Sequence, residues 1–285
     1  MMLVNGECRE HIDVSDRGFQ YGDGLFETIA VSNEQPIYLD RHLARLNAGC
    51  RRLYMPFPGM EFLASEAETL SRYSSKGILK VILTRGSGGR GYRQPDVIQT
   101  TRVLSLHPFP SFPASSLGAF ASIHEEQGIN ARFCATRLGL NPALAGIKHL
   151  NRLEQVLARA EWTDSGIQEG IMLDINDYVI EGTMTNLFYI KNQVLHTSSL
   201  AQSGVAGIIR GIIMELSSVH HLPVMEHEFT QDELLSADEV FVCNSIIGIW
   251  PVRQIENSRF SVGLITRQLQ DRLAQFENEA LKSGL

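Results

Sequence analysis

Apolar and polar residues alternate in the stretch "LFETIAVSNEQPIYL", which begins at Leu25. A repeat of two places every second side chain on the same face of a β-strand. Polar residues at positions 33–35 interrupt the pattern, which is typical of a turn that reverses the chain. We therefore predict a β-hairpin whose turn lies at these three residues.

A helical spacing follows directly, in "LDRHLARLNAGCRRLYMP". Its apolar residues recur three and four positions apart, so they share one face of a helix. The predicted buried stripe consists of Leu43, Leu46, Cys50 and Leu53. Asp40 is the candidate N-cap, and Pro56 lies beyond the predicted end. A second predicted helix, around residues 60–74, leads into the apolar strand "ILKVILTR".

The stretch "LAGIKHLNRLEQVLARAEW", residues 144–162, combines a lysine with another helical pattern. Its apolar stripe consists of Leu150, Leu153, Leu157 and Ala160. Asn151 is the candidate N-cap, with Glu154 as the carboxylate of a capping box. Lys148 therefore lies just ahead of a predicted amphipathic helix, among apolar neighbours that solvate an ammonium group poorly.

Three prolines in "LHPFPSFPAS", residues 106–115, prevent that stretch from continuing a helix or a central strand. We predict a smaller N-terminal domain at 1–106, a linker at 107–116 and a larger C-terminal domain at 117–285 that carries Lys148. The larger domain has strand patterns in "LGAFASI", "GIMLDI", "YVIEGT", "NLFYIK", "QVLHT" and "DEVFVCNSI", and helix patterns in "GIIRGIIMELSSVHH" and "GLITRQLQDRLAQFENEALK". Strands and helices mix without a regular βαβ alternation, so we expect two mixed α/β domains rather than one doubly wound sheet.

Composition narrows the class of protein. The 285 residues are 44% hydrophobic and 20% charged, as in an ordinary globular protein, and the net charge of −7 argues against nucleic-acid binding. No apolar run approaches the length of a membrane span, and the first residues lack a signal-peptide pattern. The four cysteines are far apart and the nine histidines include no HExxH motif, so we expect no metal site and a reducing, cytoplasmic location.

The glycine-rich stretch "RGSGGRGY", residues 85–92, formally matches the G-x-G-x-x-G motif of dinucleotide sites. That site needs a helix directly after the glycines, and Pro95 makes such a helix improbable. We therefore reject a dinucleotide site. A loop carrying Arg90 can instead approach a carboxylate substrate, and a plain hairpin loop remains an equal alternative.

Other candidate binding groups occur later in the chain. "SGVAGIIRG", residues 203–211, places glycines ahead of a helix, whose free N–H groups and positive dipole end favour an anion. Glu181, at the end of an apolar strand, either faces solvent or pairs with a cation. Arg45 lies off the apolar stripe of its helix and by default is a solvated surface arginine.

Two interpretations of Lys148 remain open on chemistry alone. It is either a lysine that extends its amine to water at a helix start, or an amine with a lowered pKa that can form a Schiff base. A lysine, a buried carboxylate, an arginine and a helix start suited to phosphate together form the set that pyridoxal phosphate requires.

The motifs "VSDRGFQYGDGLFETI", "RHLARL", "LKVILTRGSGGRGY", "RLGLNPALAGIKHLNRLEQVLAR", "EGTMTNLF", "GVAGIIR" and "VFVCNSIIGIWPV" follow one another along nearly the whole chain. In this order they resemble the fold-type IV pyridoxal-phosphate enzymes, and among these the aminodeoxychorismate lyases. The resemblance implies the two-domain architecture of D-amino-acid aminotransferases and a homodimer.

The resemblance also implies roles for individual residues. Lys148 matches the Schiff-base lysine, Glu181 the acid at the pyridine nitrogen, and Arg45 the phosphate arginine. The backbone amides of Ile208 and Ile209 match the phosphate-binding amides, and Ser245 stands where aminotransferase relatives place a hydroxyl on the phosphate. On the substrate side, the implied residues are Arg90 and Tyr92.

The implied reaction converts 4-amino-4-deoxychorismate to p-aminobenzoate and pyruvate, with Lys148 removing a proton from the carbon that bears nitrogen. One alternative is a branched-chain or D-amino-acid aminotransferase of the same fold, which would need a keto-acid acceptor. Another is a binding protein without chemistry, although every matched catalytic position is occupied.

Overall fold

The computed structural model describes residues 1–112, 114–115 and 118–283. The chain divides into two compact units. Unit 1 comprises Met1–Pro110, Ile147–Asn151 and Glu277–Leu285, and unit 2 comprises Ser111–Gly146 and Arg152–Phe276. Unit 1 is thus assembled from three separate stretches of the chain.

Unit 1 is built on one antiparallel sheet. Its elements are β1 (Met2–Val4), β2 (Glu7–Cys8), α1 (Arg17–Tyr21), β3 (Gly24–Ser32), β4 (Gln35–Pro36), α2 (Leu39–Arg52), α3 (Met60–Ser71), β5 (Lys76–Thr84) and β6 (Thr101–Pro108). The strands are ordered β2-β1-β6-β5-β3-β4, and each neighbouring pair is antiparallel. The core lies where apolar side chains of β3 and β5 meet those of α2 and α3.

The predicted hairpin is confirmed. Ser32 pairs with Gln35, and the two residues between them, Asn33 and Glu34, both have positive φ, at 50° and 65°. Two consecutive residues of this kind form the tight turn that matches the twist of paired strands.

Helix α2 confirms most of its predicted stripe, because Leu43, Leu46 and Cys50 are buried and Leu53 is half-buried. The predicted N-cap is wrong. The cap is Tyr38, in the left-handed conformation, and Asp40 lies inside the first turn, where its negative charge favours the positive end of the helix dipole.

Unit 2 is built on a mixed sheet. Its elements are β7 (Ala114–Ser115), β8 (Gly118–Ser122), α4 (Ile123–Gln127), β9 (Ile129–Leu138), α5 (Leu153–Arg159), β10 (Glu169–Asp174), β11 (Val179–Gly182), β12 (Asn186–Lys191), β13 (Val194–Ser198), α6 (Ile208–Val219), β14 (Val224–His227), α7 (Gln231–Leu235), β15 (Glu239–Asn244), β16 (Gly248–Ile255), β17 (Ser258–Arg259) and the larger part of α8. Helix α8 runs over Leu264–Ser283, and its residues from Glu277 onward belong to unit 1.

Six strands of unit 2 close into a ring. The order is β11-β10-β9-β16-β15-β12, and β11 pairs with β12 as well as with β10, which closes the circle. Strand β9 is parallel to both of its neighbours, whereas the other pairs of the ring are antiparallel. Closure removes free strand edges from the ring. The mixed α/β class is confirmed.

The structure corrects the predicted helix at residues 150–160. Helix α5 begins at Leu153, after Arg152, and no side chain caps it. Asn151 instead donates its side-chain amide to the carbonyl of Gly22 at 3.0 Å, and Glu154 accepts the N–H of Gly139 at 2.8 Å. Both predicted capping residues are therefore engaged elsewhere.

The apolar stripe predicted for this helix does not face the core. Leu153 is 74% exposed and Leu157 is 61% exposed, while Ala158 is the residue of α5 that is buried. The apolar face of α5 therefore points to solvent in a single copy of the chain.

The expected linker at 107–116 overlaps regular structure, because β6 continues to Pro108 and β7 covers Ala114–Ser115. Positions 113 and 116 lie outside the described residues. Lys148 falls in the Ile147–Asn151 stretch of unit 1, whereas the sequence placed it in the C-terminal domain. No helix within 1–112 or 118–283 is both long and apolar enough to cross a membrane.

Candidate active site

The backbone around Lys148 lies along strand β3. The N–H of Phe26 donates to the carbonyl of Lys148, and the N–H of Leu150 donates to the carbonyl of Gly24, both at 3.0 Å. His149 forms an isolated bridge with Leu25 between these two bonds. The segment is therefore fixed to the sheet on both sides of the lysine.

The Lys148 side chain is held over an aromatic ring. Its Nζ lies 4.3 Å from the centroid of the Phe26 ring, which is close enough for a cation–π contact. Lys148 is half-buried. The ammonium thus sits against an apolar face that solvates its charge less well than water does.

A buried carboxylate, Glu27, holds the arginine of the same unit. Arg45 donates from Nε to Oε1 of Glu27 at 2.8 Å and from Nη2 to Oε2. His42 Nδ1 lies 2.7 Å from the same Oε2. Glu27 is only 1% exposed, so these three side chains form a buried group in which the arginine is bound at both carboxylate oxygens.

The charges of this group determine its protonation. Burial favours a raised pKa for Glu27, but the positive charge of Arg45 and the hydrogen bonds from Arg45 and His42 lower that pKa to about 2. Burial lowers the pKa of His42, and the charges of Arg45 and Lys148 lower it further against the opposing effect of Glu27. At neutral pH Glu27 is therefore ionised and His42 is neutral.

Arg45 is not the solvated surface arginine expected by default, because its side chain is 15% exposed and paired. The sequence analysis missed Glu27 and His42. A signal was present, since Glu27 occupies an inward-facing position of an alternating strand, between Leu25 and Ile29. A carboxylate at such a position needs a buried cationic partner. Arg45 provides this cation, and His42, three residues before it on the same helix, adds a hydrogen bond.

In unit 2, Glu181 is buried and accepts hydrogen bonds from its own unit. Its Oε2 accepts the N–H of Val205 at 2.8 Å, and its Oε1 accepts the side-chain amide of Gln155 at 3.5 Å. The positive charge of Arg152 interacts with it as well. The solvent-facing alternative for Glu181 is therefore wrong.

The predicted helix after "SGVAG" is confirmed as α6. An asparagine side chain forms hydrogen bonds to the backbone at the start of this helix. Asn186 Oδ1 accepts the N–H of Gly207, the N-cap, at 3.1 Å, and its Nδ2 donates to the carbonyl of Val205 at 2.8 Å. A Cβ on Gly207 would lie 2.0 Å from Asn186 Oδ1, so only glycine fits there.

The first amides of α6 remain available for a ligand. Within the described part of the chain, the N–H groups of Ile208 and Ile209 donate to no acceptor. No side chain caps the helix start either. Asn186 pairs with Glu181 across β11 and β12, so the buried carboxylate and the helix start belong to one hydrogen-bonded cluster. This start suits an anion.

The remaining sequence candidates lie in turns and loops. Ser245 is half-buried in the turn after β15, where Asn244 Oδ1 accepts the N–H groups of Ile246 and Ile247. Arg90 and Tyr92 lie in the exposed glycine-rich loop, and Tyr92 is 89% exposed. Residues 92–100, which directly follow the glycines, form no helix.

Comparison with known proteins places this geometry in a family. The family model described as "Amino-transferase class IV" matches residues 24–255. The aminodeoxychorismate lyase of Vibrio harveyi is 39% identical over 277 residues, which covers 96% of this chain and 99% of that protein. The predicted resemblance is confirmed.

Solved structures agree with the sequence relatives. The 4-amino-4-deoxychorismate lyase of Pseudomonas aeruginosa superposes with a TM-score of 0.91 at 44% identity, covering 96% of this chain and 98% of that chain. The branched-chain amino acid aminotransferase of Escherichia coli superposes with a TM-score of 0.82 at 26% identity, covering 97% and 94%. The predicted fold-type IV architecture is thereby confirmed.

Proposed function

The chain belongs to the class IV amino-transferase family, and on this premise we propose that it is a pyridoxal-phosphate-dependent lyase that converts 4-amino-4-deoxychorismate into p-aminobenzoate and pyruvate. One observation carries the choice of reaction. Two proteins named as this lyase are 39% and 44% identical over nearly the whole chain, whereas two aminotransferase relatives are 31% and 26% identical.

The described residues fit the cofactor. Pyridoxal phosphate needs an amine for its aldehyde, an acid for its pyridine nitrogen and donors for its phosphate. Lys148 lies against an aromatic face, Glu181 is a buried carboxylate, and the start of α6 presents amides without acceptors. We propose that these groups hold the cofactor, with Arg45 and the amides of Ile208 and Ile209 at its phosphate.

The Ser245 hydroxyl is proposed as a further phosphate donor. Ser245 directly follows β15, and β15 packs against α6. The first amides of α6 are those assigned to the phosphate. An O–H donor adds a hydrogen bond to an anion without adding charge. Arg45 provides charge, and Glu27 holds its guanidinium in one orientation.

When bound, pyridoxal phosphate accepts the electron pair left on a carbon that has lost its proton. Lys148 Nζ removes that proton from the substrate carbon that bears the amino group. Glu181 holds a proton at the pyridine nitrogen, which increases the electron-accepting power of the ring. The bond between the ring carbon and the enolpyruvyl oxygen then breaks, its electron pair leaves with the oxygen, and the six-membered ring becomes aromatic. The departing enolpyruvate takes up a proton at its methylene carbon and becomes pyruvate.

Substrate recognition is proposed for the glycine-rich loop. Aminodeoxychorismate carries carboxylates, and an arginine binds a carboxylate with two parallel hydrogen bonds. Arg90 provides such a guanidinium, and Tyr92 provides a ring and a hydroxyl beside it. Both side chains are exposed in the described structure, so a substrate can reach them.

We also propose a homodimer in the cytoplasm. Leu153, Val156 and Leu157 form an exposed apolar face on α5, with exposed fractions of 74%, 60% and 61%. Contiguous exposed apolar residues mark a surface that packs against another protein. A second copy of this chain is the occupant that we propose, since two identical faces bury each other in a symmetric dimer.

The test supplies aminodeoxychorismate to purified protein loaded with cofactor, without any keto acid, and measures p-aminobenzoate and pyruvate together. We expect both products in equal amounts. If neither appears while the same preparation exchanges amino groups between an amino acid and a keto acid, the protein is an aminotransferase of this fold. That result would leave the cofactor assignment intact and overturn the reaction.

A further inference from the structure

Arg17, in α1, is a buried arginine that lies beneath an exposed loop. It is 4% exposed, whereas residues 87–94 of the glycine-rich loop are exposed. Its Nη1 donates to the carbonyls of Gly91 at 3.0 Å, Arg93 at 3.3 Å and Gly88 at 3.5 Å. Its backbone N–H donates to the carbonyl of Gly86 at 2.9 Å. One residue thus binds four carbonyls of the loop.

The loop has few other contacts that hold this shape. Between β5 and β6 the described chain forms no helix or strand, and one backbone hydrogen bond, from Arg93 to Arg90 at 3.3 Å, closes the loop on itself. Other contacts are a single bridge between Ser87 and Asp16, a hydrogen bond from the Gly86 N–H to Thr84, and an exposed ion pair between Arg93 and Asp96. Carbonyl oxygens that point toward one centre repel each other, and a guanidinium placed there relieves the repulsion. Without Arg17 these carbonyls lack a common donor.

Glycine permits the carbonyls to converge. Gly89 has a φ of 78°, and a Cβ there would lie 2.5 Å from the Arg93 carbonyl oxygen and 3.3 Å from Arg17 Nη1. A side chain at this position would push the loop off the guanidinium. The conformation of the loop and the position of Arg17 are therefore mutually dependent.

A carboxylate and a second arginine fix the orientation of Arg17. Arg17 Nε donates to Asp23 Oδ2 at 2.9 Å, and Arg85 donates to both oxygens of Asp23 at 2.8 and 2.9 Å. Arg85 also donates to the carbonyls of Leu53 and Tyr54. Arg85 thus fixes the Asp23 carboxylate, and Asp23 in turn orients the Arg17 guanidinium toward the loop.

An aromatic contact extends from Arg17 to the tip of the loop. The Arg17 guanidinium lies 5.0 Å from the Tyr21 ring centroid, and the Tyr21 ring meets the Tyr92 ring edge-on at 5.7 Å. Tyr92 is one of the two residues proposed to meet the substrate. The same arginine therefore orders both the backbone of the loop and one of its functional side chains.

We propose that Arg17 is a positioning residue that clamps the glycine-rich loop and thereby sets the affinity for the substrate. The second half of the proposal rests on the proposed function, because it requires that the loop meet the substrate. Arg17 itself needs no contact with substrate or cofactor. It acts through the loop carbonyls, and its loss loosens the segment that carries Arg90 and Tyr92.

The test compares Arg17→Met with Arg102→Met in the cofactor-loaded protein. Arg102 is a matched control, because it is also bonded to a carboxylate, Glu66, and lies 5.0 Å from a ring, that of Phe62, yet donates to no residue of the loop. Hydrogen exchange at the two loop amides that are hydrogen-bonded, those of Gly86 and Arg93, is expected to accelerate about 10- to 100-fold in Arg17→Met alone, as the loss of a charged hydrogen-bond donor implies.

Steady-state kinetics provides the second readout. In Arg17→Met, KM for aminodeoxychorismate is expected to rise about tenfold, more than kcat falls, with an unchanged dissociation constant for pyridoxal phosphate. If Arg17→Met does not fold, Arg17→Lys replaces it. A lysine keeps the charge but loses the fork of donors, so an intermediate gain in exchange is expected.

Each outcome decides one part of the proposal. Unchanged exchange in both Arg17 variants would overturn the clamp. Faster exchange with an unchanged KM would overturn the connection to substrate affinity and leave the clamp. If the wild-type protein releases no product, the proposed function fails, and the exchange measurement still decides whether Arg17 holds the loop.

Discussion

At the scale of single residues, the surroundings of Lys148 support the role proposed for its amine. A lysine that extends into water keeps its ammonium solvated. Lys148 instead has its backbone bonded to β3 on both sides and its Nζ over the Phe26 ring. The backbone and the amine of Lys148 are therefore held in place by residues of the protein, as the proposed catalytic role requires.

Lys148→Ala is expected to abolish turnover, by a factor of at least about 1,000, because it removes both the amine that attaches the cofactor and the proton acceptor. Stability is expected to change by about 1 kcal/mol or less, the size of one cation–π contact. Lys76→Ala is the matched control, since Lys76 lies 4.5 Å from the Phe109 ring in the same unit. Near wild-type turnover in Lys148→Ala would contradict the mechanism.

At the scale of elements, α5 shows that a helical pattern predicts a shared face but not what covers that face. Spacings of three and four place Leu153 and Leu157 on one face, as the sequence indicates. The spacing does not say which protein surface covers that face. In one copy of the chain it faces solvent. An apolar helix face without cover inside its own chain is a candidate interface.

Leu157→Lys is expected to weaken the proposed homodimer. In a symmetric interface each substitution counts twice, and burying a leucine contributes about 1.5–3 kcal/mol, so the dissociation constant should rise at least about 100-fold. Sedimentation at a series of concentrations measures it. Leu264→Lys, at another exposed leucine, is the control and should leave the dimer intact. An unchanged dimer in Leu157→Lys would exclude α5 from the interface.

At the scale of the whole molecule, the chain does not divide at one point. Unit 1 takes up Ile147–Asn151 and Glu277–Leu285 in addition to the N-terminal stretch. Backbone hydrogen bonds that join Lys148 and Leu150 to β3 explain why Ile147–Asn151 belongs to unit 1. A boundary drawn along the sequence cannot express such an arrangement, because the contacts that define a unit join residues far apart in the chain.

The buried group around Glu27 gives the stability of the protein a pH dependence. The pKa of Glu27 falls from the usual 4.5 to about 2 in the folded protein. A lowered folded-state pKa stabilises the fold above the unfolded value, and that stabilisation is lost as the pH falls from about 4.5 to about 2. Acid should therefore weaken unit 1 across this range.

Glu27→Gln tests this dependence by urea unfolding of the cofactor-free protein at pH values from 7 down to 3. The variant is expected to be less stable than the wild type at pH 7, and the difference should shrink as the pH falls toward 3. Asp96→Asn removes an exposed carboxylate paired with Arg93 and controls for lost charge, with an effect of about 1 kcal/mol or less. A difference that stays constant with pH would contradict the assignment.

Apolar residues spaced two, three or four positions apart predicted much of the secondary structure. The alternation around residues 25–39 predicted the hairpin, and the spacing of Leu43, Leu46 and Cys50 predicted the buried face of α2. These patterns succeed because a strand and a helix are local structures, in which residues two, three or four apart share a face. The motifs around Lys148, Glu181 and "GVAGIIR" likewise indicated the cofactor chemistry from residue identity and order.

Tertiary structure decided what each residue meets. Only the folded chain pairs Arg45 with Glu27, 18 positions apart, and places Arg17 beneath carbonyls more than 70 positions away. It also leaves the leucines of α5 uncovered and assigns Asn151 and Glu154 to partners outside their helix. Periodicity carries no information about such contacts, because they depend on which distant segments the packing of the core brings together.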